Sequence, residues 1–345
     1  MDSNHMDIPP QLIVSAERLA LTGSTAVIHR PFRAGHLVRL RRGYYVKTST
    51  WVEATPAQRF EWSAAAVGLA FDRPVFCGES AAVVLGVPTL RPPEFVDLAT
   101  SSERITGRRP ATFVVHGNSA LAEKARNAGN HPMRYVLRRD AQAVLSGQFS
   151  CTSPVQTAMD VMCTSSFSRA LVVADGIARM LREQGLLGQD ACLLEHPGIA
   201  LALDGIVADA TKHRAVRIAS LANTKAESAG ESFSRAVIEL LGFEQPLQQH
   251  TIVDSGQFVA RTDFWWPEQS IAGEFDGKQK HADEDMRGDW SAEEVLHREK
   301  LREDSIRALG FTVVRWNWAD LEQPGRLRQK LLRAGLRPRA GHRPS

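Results

Sequence analysis

The stretch that decides the fold runs from residue 257 to residue 278 and reads QFVARTDFWWPEQSIAGEFDGK. Apolar and β-branched residues on either side of the polar segment around Pro267 predict two neighbouring strands. Asp263 lies near the end of the first strand, and Glu274 and Asp276 alternate along the second. Because strand side chains repeat every two residues, Glu274 and Asp276 share one face, and an adjacent strand brings Asp263 within reach of Glu274.

The segments around this stretch complete a domain. Residues 226–243 predict a helix that ends at Gly242, and residues 251–266 predict a hairpin that turns at 254–256. A strand follows at 270–277, then a long helix over 293–310 and a buried strand over 311–316. This order of helix, three strands, helix and strand predicts an α/β sandwich around a small mixed sheet.

The clustered carboxylates predict a metal site. Asp263 and Glu274 are hard oxygen ligands, which suit Mg²⁺ or Mn²⁺. Lys278 follows directly and can stabilise negative charge on a phosphate, and His281 lies just beyond. Such a set of residues can position and activate a water for in-line displacement at phosphorus.

These residues resemble the core of PD-(D/E)XK nucleases, in the branch related to very-short-patch-repair endonucleases. The resemblance covers about 110 residues and rests on Asp263, the run from Glu274 to Lys278, and the helix and strand over 299–316. It implies a restriction-endonuclease-like α/β domain that cleaves DNA, with Asp263 and Glu274 as metal ligands. Lys278 would be catalytic, and Asp276 or His281 would orient water. The family lysine would fall at residue 276, and the family proline at 262, where this chain has Asp276 and Thr262.

Two further charged residues have alternative interpretations. Glu231 matches the helix glutamate that often completes such metal sites, but it is also the third helical residue of a capping box that Ser228 begins. Arg302 lies with Glu299 on a helix stripe that is otherwise apolar. Charges on such a stripe need partners, so they point at the carboxylate site or a phosphate, or form salt bridges at the domain edge.

The N-terminal part has the outline of a winged helix-turn-helix. A helix ends at Gly23, a short second element is expected to break at Pro31, and strands over 36–41 and 44–48 flank Arg42–Gly43. Arginines on such a wing contact DNA phosphates without reading sequence. The alternative is a basic hairpin on the surface of another fold. The predicted DNA-binding residues of the hairpin are Arg39, Arg41, Arg42 and Lys47, and Arg302 joins them from the C-terminal domain.

The same part of the chain resembles AbiEi-type antitoxins over about 180 residues. The motifs are the wing at 35–46, the run GESAA with GVP at 78–88, and TSPVQTAMD at 152–160. The resemblance implies an antitoxin-like middle domain and a cognate toxin as a second partner beside DNA.

Composition and charge set the broad class. The chain has 345 residues and a net charge of +3. Residues 30–47 contain six basic residues and no acidic one, and residues 326–343 contain seven basic residues and no acidic one. Thirteen acids against six bases lie over 263–304, and basic ends around an acidic centre fit a polyanion-binding protein. The chain has no apolar run of membrane-spanning length and no secretory signal, and its four cysteines are far apart, so we expect a cytoplasmic protein with no membrane partner.

The sequence therefore predicts a multidomain α/β protein whose oligomeric state stays open. Its predicted parts are a winged-helix-like module at 1–52, an antitoxin-like domain at 53–185, a helical connector at 186–225, a nuclease-like domain at 226–337 and a basic tail at 338–345. The favoured function is metal-dependent DNA cleavage in phage defence or DNA repair. The alternatives are an antitoxin-like transcriptional regulator with an inactive nuclease fold and a protein-interaction scaffold.

Overall fold

The structure, a computed structural model, describes residues 5–277 and 301–339. Within these residues, helices and three small sheets form a multidomain α/β fold, which confirms the predicted class at this level. No helix in this part of the chain is both long and apolar enough to cross a bilayer.

The elements before residue 190 build the first two sheets and the helices around them. The N-terminal elements are β1 (Ile13–Val14), α1 (Ser15–Thr22), α2 (Ala26–Arg33), β2 (Leu37–Arg41), β3 (Tyr44–Lys47) and α3 (Thr48–Glu53). The next are α4 (Pro56–Ala70), β4 (Val75–Phe76), α5 (Gly78–Val84), β5 (Val96–Thr100), β6 (Gly107–Arg109) and β7 (Val114–Val115). They are followed by α6 (Ala120–Ala128), β8 (Met133–Leu137), β9 (Ala143–Ser146), β10 (Phe149–Thr152), α7 (Pro154–Thr164) and α8 (Phe167–Glu183).

The first sheet contains the basic hairpin. Its order is β1-β3-β2-β7, and its paired strands are antiparallel. The predicted turn is present at Arg42–Gly43, where Gly43 has a φ of +93°, a conformation that glycine adopts without a steric penalty. The second sheet has the order β6-β8-β5-β4-β10-β9 and mixes parallel with antiparallel pairs.

The expected break at Pro31 is wrong, because α2 continues through this proline to Arg33. Pro31 lacks one backbone N–H, but the helix buries Ile28 and Phe32 against Leu37 of the hairpin. Burial of side chains of this size contributes about 1.5–3 kcal/mol each. This contribution is comparable to or larger than the roughly 3 kcal/mol penalty of an internal proline, so the helix persists.

The C-terminal elements appear in the predicted order. After α9 (Pro197–Asp204) and α10 (Asp209–Leu221) come α11 (Ala229–Leu240), β11 (Leu247–Asp254), β12 (Gln257–Trp266) and β13 (Ile271–Asp276). The long predicted helix is described over 301–308 (α12), and then follow β14 (Thr312–Asn317), α13 (Trp318–Glu322) and α14 (Pro324–Arg333). The third sheet has the order β11-β12-β13-β14, with a parallel pair between β13 and β14.

Helix α11 belongs to two hydrophobic cores. Ala236 packs in the large core, which contains residues of α4, α5, α7, α8, α9 and α10. The next two residues, Val237 and Ile238, pack in a second core with Trp266 and Trp316 of the third sheet. Consecutive helical residues lie about 100° apart around the axis, so this helix can face both cores at once.

A buried ion pair fixes α11 to α8. Both oxygens of Asp175 lie 2.9 Å from Nη1 of Arg235. The two side chains are 2% and 4% exposed. The backbone N–H of Asn223 donates to the same carboxylate at 2.9 Å. The pair therefore joins the third-sheet region to the large core through charge-assisted hydrogen bonds.

Candidate functional site

Three neighbouring strands bring the central carboxylates together. Strands β12 and β13 are antiparallel with Phe264 opposite Gly273, so the next position places Asp263 opposite Glu274. Strand β14 runs parallel to β13 with Arg315 directly beside Glu274. Since side chains directly across a sheet share one face, Asp263, Glu274 and Arg315 form a row across the three strands.

Helix α12 packs on this face and shields its centre from water. Its residue Ile306 is fully buried with Trp265 and Ala272 of the sheet. Desolvation by burial raises the pKa of Glu274, and burial also raises the pKa of Asp263, with the charge of Glu274 acting in the same direction. Two carboxyl groups that are costly to ionise therefore lie side by side.

In the part of the chain that the structure describes, two arginines contact Glu274. Nη2 of Arg302, on α12, lies 2.8 Å from its carboxylate, and Nη2 of Arg315 lies 2.8 Å from Oε2. The buried Oε1 atom of Glu274 accepts no well-directed hydrogen bond from the described part of the chain, although Arg302 is close. Arg302 thus forms an ion pair with a carboxylate of the site, a contact that fits both the site interpretation and the salt-bridge interpretation.

The remaining charges extend this cluster towards solvent. Nε of Arg315 lies 3.2 Å from Oε2 of Glu303, and its Nη1 lies 3.8 Å from Oδ1 of Asp276. Asp276 is half-exposed at the end of β13. Asp263 accepts a hydrogen bond from the backbone N–H of Phe275 at 2.9 Å. The site therefore combines a buried carboxylate (Glu274), a half-buried one (Asp263) and an exposed one (Asp276) with two guanidinium groups.

Glu231 lies near this cluster but has partners of its own. Its Oε2 accepts hydrogen bonds from the backbone N–H of Glu227 at 3.0 Å and from Nε2 of Gln249 at 2.8 Å, and its Oε1 accepts from the hydroxyl of Ser228 at 2.7 Å. Burial raises the pKa of Glu231, and the charge of Asp263 adds to this rise. Ser228 caps the helix by accepting from the backbone N–H of Glu231, but the Glu231 carboxylate bonds the backbone of Glu227, so the reciprocal bond of a capping box is absent. Both of its oxygens accept hydrogen bonds, which favours a structural role over a metal-binding one.

Gln249 has an unusual backbone. Its φ is +52°, in the left-handed region that residues with a side chain rarely adopt. It lies between the pairs Gln248–Phe264 and His250–Thr262, opposite Asp263 on the neighbouring strand. Such strain persists where surrounding contacts impose it and is concentrated at functional sites. The bond to Glu231 is one such contact, and the sequence contains no signal for it.

The donor set fits a cation held by two carboxylates. Among residues 5–277 and 301–339, no group of three His, Cys, Asp or Glu side chains is arranged to hold a metal ion. Asp263 and Glu274 remain as oxygen donors, and Mg²⁺ often binds through one or two carboxylates plus waters and substrate phosphates. Lys278 and His281, the other predicted catalytic residues, lie outside the described residues.

The basic residues of the hairpin have different environments. The guanidinium of Arg39 lies over the ring of Phe32 at 5.3 Å, and that of Arg41 lies over Phe71 at 4.7 Å. Burial lowers the pKa of Arg41, whose Nη1 also lies 2.6 Å from Sδ of Met133. The other two predicted contacts, Arg42 and Lys47, are exposed. The structure therefore leaves Arg42 and Lys47 freest to meet a phosphate.

A second charged cluster was not predicted. Most of its members line a cavity of about 440 Å³. Arg134 makes two hydrogen bonds to Asp97 at 2.7 and 2.8 Å, and Nε of Arg138 donates to Asp160 at 2.8 Å. Burial raises the pKa of both carboxyl groups and of the thiol of Cys77 between them. Each carboxylate is thus paired with an arginine, which gives Asp97 and Asp160 a structural role.

Comparison with known proteins adds two relatives. No family model matches the chain, and no solved structure matches it. The Uncharacterized protein MT2308 of Mycobacterium tuberculosis strain CDC 1551 / Oshkosh and the Uncharacterized protein Rv2248 of strain ATCC 25618 / H37Rv are each 31% identical to it over 190 residues. The match covers 55% of this chain and 62% of each relative, so the chain spans less than two thirds of their length. Neither name states an activity.

Proposed function

We propose that this protein is a divalent-metal-dependent DNA endonuclease that hydrolyses phosphodiester bonds. The observation that carries the proposal is the carboxylate pair of Asp263 and Glu274, which neighbouring strands hold on one face under α12. Burial raises the pKa of both carboxyl groups even with Arg302 and Arg315 beside Glu274, so a bound cation would further stabilise their charged forms. The resemblance of residues 226–337 to PD-(D/E)XK nucleases supports the same function.

The residues at the site have distinct roles in this proposal. Asp263 and Glu274 would hold Mg²⁺ or Mn²⁺, which supplies Lewis acidity and a more acidic water when bound. Arg302 and Arg315 place positive charge beside the carboxylates, where guanidinium groups can hold phosphate oxygens in two-point contacts. Asp276, half-exposed at the end of its strand, would orient a water. Lys278 and His281 keep the roles that the resemblance implies.

The N-terminal part would hold the DNA. In this proposal α1, α2 and the hairpin of β2 and β3 form the winged helix-turn-helix-like module that the sequence predicts. Arg42 and Lys47 are exposed on the hairpin and would contact phosphates. Residues 53–185 would be the antitoxin-like middle domain. Cleavage would take place in the cytoplasm, in phage defence or DNA repair.

The test is cleavage by the full chain. Purified protein is incubated with supercoiled, linear and mismatched DNA in Mg²⁺, Mn²⁺, Ca²⁺ or EDTA. We expect cutting in Mg²⁺ or Mn²⁺ but not in EDTA, and little cutting in Ca²⁺. Asp263→Asn and Glu274→Gln should each abolish cutting, while Asp254→Asn, an exposed carboxylate on the same hairpin, should cut normally. Absence of cutting on every DNA form with both metals would contradict the proposal.

A second candidate is a DNA-binding regulator of the antitoxin kind, with a cognate toxin as partner. It is favoured by the two ion pairs that neutralise Glu274 and by Asp276 at the position of the family lysine. An inactive nuclease fold needs no cation if its carboxylates are paired within the protein. If no DNA is cut and the Asp263→Asn and Glu274→Gln variants still repress a promoter in a reporter assay, the regulator is the better proposal.

A further inference from the structure

We propose that Arg302 is a displaceable counter-ion of Glu274, so that a divalent cation and a DNA phosphate bind to this site as a coupled pair. This inference rests on the proposed endonuclease and deepens it, because it assigns the residue that controls access of the cation to Glu274.

The first step concerns the charge on Glu274. Its side chain is 7% exposed and lies 2.8 Å from each of Arg302 and Arg315. A divalent cation on the same carboxylate would lie close to both guanidinium groups, and like charges at a few ångströms repel strongly at a buried site. Oε1 of Glu274 is 2.8 Å from Nη2 of Arg302 but accepts no well-directed hydrogen bond from the described residues, so its lone pairs become available to another ligand only when Arg302 moves away.

The two arginines differ in the contacts that hold them in place. Arg315 lies in a strand, directly beside Glu274, and also contacts Glu303 and Asp276. Arg302 lies on α12, is 36% exposed, and within the described residues has one further hydrogen bond, from Nη1 to the carbonyl oxygen of Arg261 at 3.0 Å. Because Arg302 has fewer contacts to lose, it is the guanidinium that can turn away from Glu274. An incoming phosphate is an anion, as Glu274 is, and it can accept two hydrogen bonds from the guanidinium of Arg302.

The third step concerns the ligands of the cation. Asp263 and Glu274 are two donors, and both oxygens of Glu231 already accept hydrogen bonds. Mg²⁺ demands octahedral coordination and commonly takes substrate phosphates to complete it. A phosphate would thus add ligands to the cation and draw Arg302 from Glu274 in the same event. By linkage, each partner must then tighten the binding of the other by the same factor.

The experiment measures Mn²⁺ affinity on the full chain, by calorimetry or by electron paramagnetic resonance of free Mn²⁺. Each titration is run without DNA and with a short duplex whose phosphorothioate linkages resist cleavage. We expect the duplex to raise the Mn²⁺ affinity of the wild type about 5-fold or more. Arg302→Gln should bind Mn²⁺ more tightly than the wild type without DNA, and the duplex should then change its affinity by less than about 2-fold.

The matched control is Arg307→Gln. This variant removes one positive charge from the same described segment, but Arg307 pairs with Glu303 and not with Glu274, so it should behave as the wild type does. If Arg302 merely ties α12 to the sheet, Arg302→Gln should bind Mn²⁺ no more tightly than the wild type, and this result would overturn the inference. Arg302→Met, which keeps an apolar stem without the charge, repeats the test if the glutamine variant fails to fold.

The Mn²⁺ titration and the cleavage assay can fail independently of each other. A wild type that cuts DNA but binds Mn²⁺ equally well with and without the duplex overturns the displaceable counter-ion and leaves the endonuclease standing. A wild type that neither cuts DNA nor binds Mn²⁺ overturns both.

Discussion

At the scale of single residues, Asp263 is held where its charged form is disfavoured. Burial raises its pKa, and the charge of Glu274 opposite raises it further. A carboxyl group whose folded pKa lies above its unfolded value binds protons more tightly in the folded state. The stability that this tighter proton binding contributes is therefore lost as the pH rises from the unfolded pKa of about 4 through the raised folded pKa.

The first prediction follows from the raised pKa of Asp263, which makes its charged form destabilising. Asp263→Asn removes the charge, so without metal it should melt above the wild type at pH 7, by about 1–4 °C. The difference should shrink as pH falls towards about 4, where the wild-type carboxyl is also neutral. Millimolar Mg²⁺ should raise the melting temperature of the wild type and leave the variant unmoved. Thermal melts over a pH series test this, and a variant that melts lower at pH 7 contradicts it.

A second residue-scale prediction concerns the buried pair of Asp175 and Arg235. Removing one partner of such a pair leaves the other charge buried, at a typical cost of 3–5 kcal/mol. Asp175→Ala should therefore lower the urea midpoint strongly. The control is Asp204→Ala, whose partner Lys212 lies 3.2 Å away on the surface. That change should cost about 0–1 kcal/mol, and similar losses in the two variants would argue against a buried ion pair.

At the scale of elements, strand β13 has the carboxylate site on one face and a close approach on the other. A Cβ on Gly273 would lie 2.7 Å from Cη2 of Trp316 and 3.0 Å from Cζ3 of Trp266. The two indoles belong to the second core and are 1% exposed. Only a glycine lets them pack against the strand that holds Glu274.

The third prediction is that Gly273→Ala destabilises the protein by about 1–3 kcal/mol, the usual effect of overpacking. The matched control is Gly325→Ala in α14, where a Cβ would meet no atom within 4 Å. That change should be neutral or stabilise by about 0.4–1 kcal/mol. Urea unfolding of both variants measures the difference, and a Gly273→Ala protein as stable as Gly325→Ala would show that the strand can shift at no cost.

The scale of elements also shows how far the sequence predicts the site. Alternation along β13 and its antiparallel neighbour predict that Asp263 and Glu274 meet, because both relations are local. The ion pair of Glu274 with Arg315 depends on the parallel register of β13 with β14, whose residues lie far apart in the chain. No local pattern fixes that register.

The same limit explains two outcomes in the N-terminal part. The rule that proline ends a helix is local, and at Pro31 it gives way to the burial of Ile28 and Phe32 against the hairpin. Arg41 is predicted to meet a phosphate, but it packs on Phe71 and Met133, which come from distant segments. Strand positions followed from periodicity, whereas the partners of individual side chains depended on tertiary contacts.

At the scale of the whole molecule, the fourth prediction concerns DNA binding by the hairpin. Arg42 and Lys47 are its exposed cations, and each phosphate contact contributes about 0.9 to the slope of log affinity against log salt. Arg42→Ala with Lys47→Ala should weaken binding to all sequences alike and reduce the slope by about 2. The control is Arg104→Ala with Lys124→Ala, two exposed cations outside the hairpin and outside both basic ends of the chain. Equal effects in both double variants would remove the hairpin from the DNA-binding surface.

The position of α11 between two cores has a consequence for how the molecule unfolds. Ala236 is buried in the large core and Ile238 in the core of the third sheet, so neither core can melt without exposing apolar surface of the other. Separate folding units would give two heat-absorption peaks in calorimetry. A shared helix instead predicts one cooperative peak with equal calorimetric and van't Hoff enthalpies, and Gly273→Ala should shift that peak as a whole.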